Sequence, residues 1–530
     1  MQKFLVFAVV GFAFSQALLF SQAPIQVNTR LVQVVVIARD KRGPITDLSK
    51  GDFEIFDKGK SKPISTFSFE RVQPASKQAP LPPNTFSNRL DRGDSPVAAT
   101  VILFDSLNTA FKDQATAREQ VVGYLKSIDP SSPVAIYALG NGLRILHDFT
   151  DDRARLTRGL ERYRGQISTL LDDSTPSPGQ DFVSQILDPL QNYSFDRRIA
   201  ITMSAMTAIA DRMAGTPGRK NLIWISGAFP ITLAFDRAGL MGGGQRMVTY
   251  AGPMKEAATA IDRAEVAVYP VDARGLMVSN TIRTSMPQPI NQATTGRTYS
   301  VPTPESMIGT REIETMQLLA DWTGGKAFYN TNDLRGAIKQ ATEDADATYV
   351  LGFYADEKEL DGSYHDLKVK TSRRGADIRY RKGYFAAPVA QSGGQSAIDV
   401  LKRAILSPAD ATGIGLTASL TPNAAQAGSF FLDLHMDLQN LSLEARNGRF
   451  ADNLNFAVVQ QDREGSALDS VTNTVTISVT DENRQKLLQD GLTLKVGIRP
   501  APRLSQIRIA VMDQATGNTG TLRVIPPVTN

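Results

Sequence analysis

Thr100-Val101-Ile102-Leu103-Phe104-Asp105-Ser106-Leu107-Asn108-Thr109 is the stretch that decides how this chain is read. Val101 to Phe104 is a continuous apolar run, without the alternation that a half-solvated strand shows. Strands buried on both faces read this way, and they belong to parallel sheets covered by helices. The run ends on a carboxylate and then on hydroxyl and amide side chains. It therefore delivers polar groups to the carboxyl end of a strand, where open α/β sheets place their ligands.

The same grammar recurs downstream. Apolar runs at 133–139, 221–227 and 265–271 read as further buried strands, 143–149 as an edge hairpin strand and 326–329 as a short one. Helix-like segments lie between them: 114–127, 152–163, 253–264, 313–322 and 332–345. In another, Ile199, Met203, Met206, Ala210 and Met213 recur at helical spacing and form a core-facing stripe. Asp151-Asp152 and Asn332-Asp333 sit where acidic side chains cap free backbone amides. Strands alternating with helices predict an α/β unit over 98–350 with a doubly wound, mostly parallel sheet. Residues 275–309 interrupt it as a long insertion with little periodicity.

Around this unit the pattern turns to strands and turns. Residues 25–72 alternate with a period near two and predict an N-terminal β-sandwich-like domain. Pro, Ser and Asn make 73–97 a linker, 351–386 reads as flanking β strands, and Gly, Ser and Gln make 387–396 a second linker. Residues 397–530 are strand-rich and predict a C-terminal β-sandwich-like domain. Several domains are expected of 530 residues.

Composition narrows the function. Hydrophobic residues are 42% and charged residues 21%, as in ordinary globular proteins. The net charge of +4 is small for this length and no dense Lys/Arg run occurs, which argues against nucleic acid as a partner. With no cysteine, disulfides, thiolate metal sites, cysteine nucleophiles and a lipoprotein anchor are excluded. Lys3, the apolar run 4–14, and small residues at Ser15-Gln16-Ala17 and Ser21-Gln22-Ala23 have the layout of a secretory signal peptide over 1–23. The location expected is secreted or periplasmic. The competing reading, an uncleaved anchor, needs about 20 apolar residues and would be the only membrane contact.

Nothing points to covalent chemistry. His147, His365 and His435 are far apart and lack metal-ligand spacing. No Gly-x-Ser-x-Gly elbow is present. Gly215 to Lys220 precedes a strand and lacks the spacing of a phosphate loop. Asp151-Asp152 and Asp172-Asp173 fall in predicted loops or caps. The chain is expected not to be an enzyme.

Four segments together resemble the von Willebrand factor type A domain, in the version common to large acidobacterial secreted proteins. They are Val101 to Thr109, Pro217-Gly218-Arg219-Lys220-Asn221-Leu222-Ile223-Trp224-Ile225-Ser226-Gly227, Val268-Tyr269-Pro270-Val271-Asp272, and Leu319-Ala320-Asp321-Trp322-Thr323-Gly324-Gly325-Lys326-Ala327-Phe328. The resemblance covers 98 to about 350. It implies adhesion or complex assembly, with a metal-ion-dependent site whose first loop reads Asp-x-Ser-x-Ser and whose remaining ligands are a Thr and a later Asp. Asp105 matches the first position and Thr109 the last. Leu107 offers no oxygen at the middle position, and Ser226 stands where the later Asp is expected. The Thr would be Thr202 or Thr175. Such a site is degenerate, with no cofactor or with Mg²⁺ held weakly, because Mg²⁺ wants carboxylate oxygens and dehydrates reluctantly. The competing reading, which the missing oxygens favour, is that Asp105 caps or braces its own loop.

Ser106, Asn108, Ser226 and Gly227 are expected in ligand-facing loops. The function expected is an exported binding or adhesion-type protein that takes a protein or a glycan. The alternative is an envelope-associated hydrolase with its site in the C-terminal domain, where no nucleophile–base pair is legible.

Overall fold

A computed structural model describes residues 29–526, apart from 73–80, 90–97, 128–132, 166–167, 169–188, 229–245, 277–303, 357–358, 360–362, 387–396, 440, 442 and 447. The expected signal segment, the 387–396 linker, Thr175, Asp172-Asp173 and most of the 275–309 insertion lie outside the described residues. Among the described residues the chain is mixed α/β with five sheets, and no helix is long and apolar enough to cross a membrane.

The central sheet is built from the apolar runs. Its strand order is Val266–Asp272, Lys220–Ser226, Ala99–Asp105, Val134–Leu139, Leu143–Thr150. Neighbours are parallel except at the last pair, which is antiparallel. Every residue of the first four strands is buried. Alternate side chains feed two cores. Val101, Leu103, Leu222 and Trp224 pack with Met203, Met206 and Ile209 from the helix Pro189–Met213. Ile102, Phe104, Ile223 and Ile225 pack with Val121, Tyr124 and Ile338 on the other face. Continuous apolar strands are the consequence of helices on both sides. Asp152 caps the helix Arg153–Arg162 by accepting from Ala154 N and Arg155 N, and Asp333 caps Leu334–Glu343.

Pairing crosses the boundaries expected from sequence. The strand Thr29–Asp40 lies antiparallel to Ala347–Asp356, with Val34 opposite Leu351 and Val36 opposite Tyr349. Phe53–Asp57 pairs with Tyr364–Thr371. The N-terminal strands and the flanking strands thus share one apolar core, with Val32, Ile55, Phe353 and Val369 in it. A short amphipathic strand cannot bury its apolar face alone, so two separated pieces of chain complete each other. Within the expected linker, Thr85–Ser87 is a strand paired with Leu416–Pro422. The expected strand at 326–329 is reduced to one bridge, Phe328 to Val271.

The C-terminal part has two sheets around a common core that includes Leu432, Leu434, Val458 and Ile509. It also carries two helices, Ala397–Leu406 and Asp481–Asp490, where the sequence reading expected only strands. Both are short, and propensity is a weak prior over so few residues.

Candidate functional site

Strand alternation decides which side chains meet at the carboxyl end of the central sheet. Asp105 closes its strand on the same face as Val101 and Leu103. Trp224 and Ser226 lie on that face of the neighbouring strand. Opposite them runs the helix Pro189–Met213, which brings Arg198 and, one turn later, Thr202.

Asp105 is 1% exposed and serves as an acceptor hub. Its Oδ1 accepts from Asn108 N at 2.9 Å. Its Oδ2 accepts from Asn108 Nδ2 at 2.9 Å, Trp224 Nε1 at 2.9 Å and Ser226 Oγ at 2.8 Å. The Asn108 amide is used at both ends: Nδ2 also donates to Thr202 Oγ1 at 3.1 Å, and Oδ1 accepts from Arg198 Nε at 3.0 Å. Thr109 Oγ1 accepts from Gly227 N at 2.8 Å. A Cβ at Gly227 would sit 3.2 Å from Thr109 Cα, so this approach favours glycine. Ser106 turns to the opposite face and shares a 2.6 Å hydrogen bond with Tyr163.

All six residues expected at the site therefore converge, but Ser106, Asn108, Thr109, Ser226 and Gly227 are buried with Asp105 and spend their polar groups on one another. The four expected in ligand-facing loops act from below, as the platform on which those loops stand. Of the two threonine candidates, Thr202 is at the site and Thr175 lies outside the described residues.

Sequence reasoning missed two charged residues here. Arg198, 7% exposed, brings a guanidinium to the loop. Its signal was present, since Arg198, Thr202, Ala205 and Ile209 fall on one helical stripe. Asp272 ends its strand buried and is held by Arg274, whose N and Nε reach Oδ1 at 2.9 Å and whose Nη2 reaches Oδ2 at 2.8 Å.

This donor set does not fit a hard divalent cation. Such a cation needs oxygens with free lone pairs and more than one carboxylate in reach. The Asp105 oxygens are engaged by protein donors, Leu107 is a buried hydrocarbon, Ser226 donates where a carboxylate is needed, and a guanidinium already stands beside Asn108. Among the described residues, no group of three or more His, Asp or Glu side chains is arranged to hold a metal.

Burial pushes the Asp105 carboxyl above its ordinary value of 3.8, against the hydrogen bonds from Asn108, Trp224 and Ser226 that pull it down. The Ser226 hydroxyl has one proton and two acceptors, Asp105 Oδ2 and Ala228 O, the latter at 2.7 Å. A protonated Asp105 satisfies both by donating to Ser226 Oγ while Ser226 donates to Ala228 O. A raised folded-state pKa means stability that is complete below the unfolded value and is lost as pH rises through the folded one. Urea midpoints of the native chain should therefore fall, relative to those of Asp105→Asn, as pH rises above about 4. A flat difference, or one that grows with pH, would contradict the assignment.

No family model matches the chain, and no curated protein matches it. Solved structures do match. One is an aerotolerance-related membrane protein from Bacteroides fragilis NCTC 9343, at 16% identity over 46% of this chain and 98% of that chain, TM-score 0.23. Another is the conserved hypothetical protein BatB from Bacteroides thetaiotaomicron, at 14% identity over 46% and 96%, TM-score 0.21. A third is a von Willebrand factor type A protein from Catenulispora acidiphila, at 10% identity over 65% and 81%, TM-score 0.26. The neighbours thus include von Willebrand factor type A proteins, at TM-scores that carry no argument about function.

Proposed function

We propose that this chain is an exported or envelope-located binding protein of the adhesion type. Its central unit is von Willebrand factor A-like and doubly wound, and it holds a protein partner at the carboxyl edge of its sheet without a divalent metal.

The observation that carries this reading is a pair of exposed apolar side chains at that edge. Phe111 is 55% exposed at the start of the helix Phe111–Ser127, directly after the Asp105–Thr109 loop. Leu276 is 61% exposed just past Asp272, with its N–H held by Asn332 Oδ1 at 2.9 Å. The two loops are close: Asp113, on the first turn after Phe111, feels the charges of Arg274 and Asp272. Exposed aromatic and aliphatic anchors on a rigid, internally bonded base are what protein interfaces use, because little ordering entropy is then lost on binding. They favour a protein over a glycan.

The test is photocrosslinking in the native envelope. A benzophenone side chain at Phe111 or at Leu276 should give the same adduct. One at Leu406, which is 76% exposed on the C-terminal part, should not. An adduct from Leu406 alone would overturn the placement of the contact face.

A further inference from the structure

The strand Ala467–Val479 is hydrogen-bonded on one side only, to Arg449–Gln461. From Ser470 through Thr480 it contains no charged residue and no proline. Its pairing is regular until a register shift at Gln460/Gln461, at the far end. Sheet edges left in solvent are ordinarily guarded by lysine, proline or a bulge, since a bare edge pairs with any strand it meets. This edge has none of these over its whole middle.

Its side chains alternate. Ser470, Thr472, Thr474, Thr476 and Ser478 are exposed on the outer face. Val471, Asn473, Val475, Ile477 and Val479 point to the space between the sheets. Ile477 is buried there, but Val471 is 44% exposed, beside a cavity of about 260 Å³ floored by Phe430, Val458 and Ile498. The apolar row is thus unfinished at one end of the strand and complete at the other.

We propose that this edge is the interface between two copies of the chain, which pair antiparallel about a two-fold axis at Thr474. Residues directly opposite in a sheet project to the same face. That register sets Val471 opposite the partner's Ile477 on the inner face, and Asn473 opposite the partner's Val475. On the outer face it sets Thr472 opposite the partner's Thr476 and Ser470 opposite the partner's Ser478. No charge meets a charge, hydroxyls meet hydroxyls, and the exposed valine is covered. Moving the axis one residue along the strand sets Asp469 against the partner's Asp481; moving it one residue back sets Asp469 against the partner's Ile477. Like charges and a carboxylate facing an aliphatic side chain both disfavour those registers. The edge is therefore complementary to itself in one register, as a closed two-fold interface requires. This inference does not depend on the carboxyl-edge reading above.

One strand pair buries less than the roughly 1,200 Å² of a stable complex, so the dimer is expected to form at micromolar concentration. Sedimentation velocity of the mature full-length chain, from about 1 to 100 μM, should show a monomer–dimer shift. The double variant Thr472→Lys, Thr476→Lys opposes two lysines at each of two pairs and should weaken association at least tenfold. The double variant Thr472→Lys, Thr476→Glu places opposite charges at the same pairs. It should restore the dimer and make it salt-sensitive. Both positions are exposed, and an unchanged melting temperature would confirm that the variants fold. A native chain that stays monomeric, or a dimer indifferent to the two lysines, would overturn the proposal. Failure of the opposite-charge variant to restore pairing would overturn the register.

Discussion

Replacing Asp105 with alanine should destabilise the chain by roughly 2–5 kcal/mol, well beyond the loss of an ordinary helix cap, about 0.5–2 kcal/mol. The reason is what remains after the carboxylate is gone. Ser226 can turn its proton to Ala228 O, and Asn108 Nδ2 keeps Thr202. Trp224 Nε1 and Asn108 N have had Asp105 as their hydrogen-bond partner, and they would stay buried. An orphaned buried donor costs about 1–3 kcal/mol. Urea unfolding of the native chain and of Asp105→Ala measures the difference. A loss under about 1 kcal/mol would mean that water reaches the site and replaces the carboxylate. The same experiment with Mg²⁺ or Mn²⁺ should give the same difference, and calorimetry should find no binding tighter than about millimolar. Micromolar binding that Asp105→Ala abolishes would restore a metal-dependent adhesion site around Asp105 and Thr109.

A second large effect is expected at Asp344. Its side chain is fully buried at the end of the helix Leu334–Glu343 and accepts from three other elements. Arg39 Nη1 reaches Oδ1 at 3.1 Å, Arg379 Nη2 reaches Oδ2 at 2.5 Å, and Tyr269 OH reaches Oδ2 at 3.2 Å. Arg39 and Arg379 belong to the N- and C-terminal pieces of the shared β unit, and Tyr269 to the central sheet. One carboxylate thus fastens the two parts together. Removing one member of a buried ion pair costs about 3–5 kcal/mol, because the partner's charge is left without compensation. Asp344→Ala should lose stability on that scale, and limited proteolysis should then cut the β unit earlier than the central sheet. Asp344→Asn, which keeps the volume and loses the charge, should fall between. An alanine variant as stable as the native chain would show that solvent takes over both guanidinium groups.

The two predictions differ in how far the sequence foresaw them. Asp105 was legible, because a carboxylate ending an apolar run at a strand's carboxyl end must be either a ligand or a brace. Its donors were only partly so. Asn108 and Ser226 stand in the loops that the sequence marked, but Trp224 reads as a core residue, and Arg198 reads as one charge in a run of Asp196-Arg197-Arg198. Asp344 was not singled out, since its partners Arg39 and Arg379 lie in segments assigned to different parts of the chain.

What the sequence determined by itself is whatever depends on neighbours a few residues away. Continuous apolar runs announced strands buried on both faces, helical spacing announced the Met203–Met213 stripe, and Asp152 and Asp333 announced helix starts, because hydrogen bonds and burial at these places are settled within a turn or a strand. The tertiary structure alone decided which distant strands complete one another. Val34 needs Leu351 and Phe53 needs Thr371, yet any β-branched strand of the right length offers the same local pattern. It alone also decided that the polar loop at Asp105 faces inward. Side-chain types show that a hydroxyl or an amide can bond, but whether it bonds to a ligand or to the protein depends on what the fold brings within 3 Å, here Trp224 and Arg198.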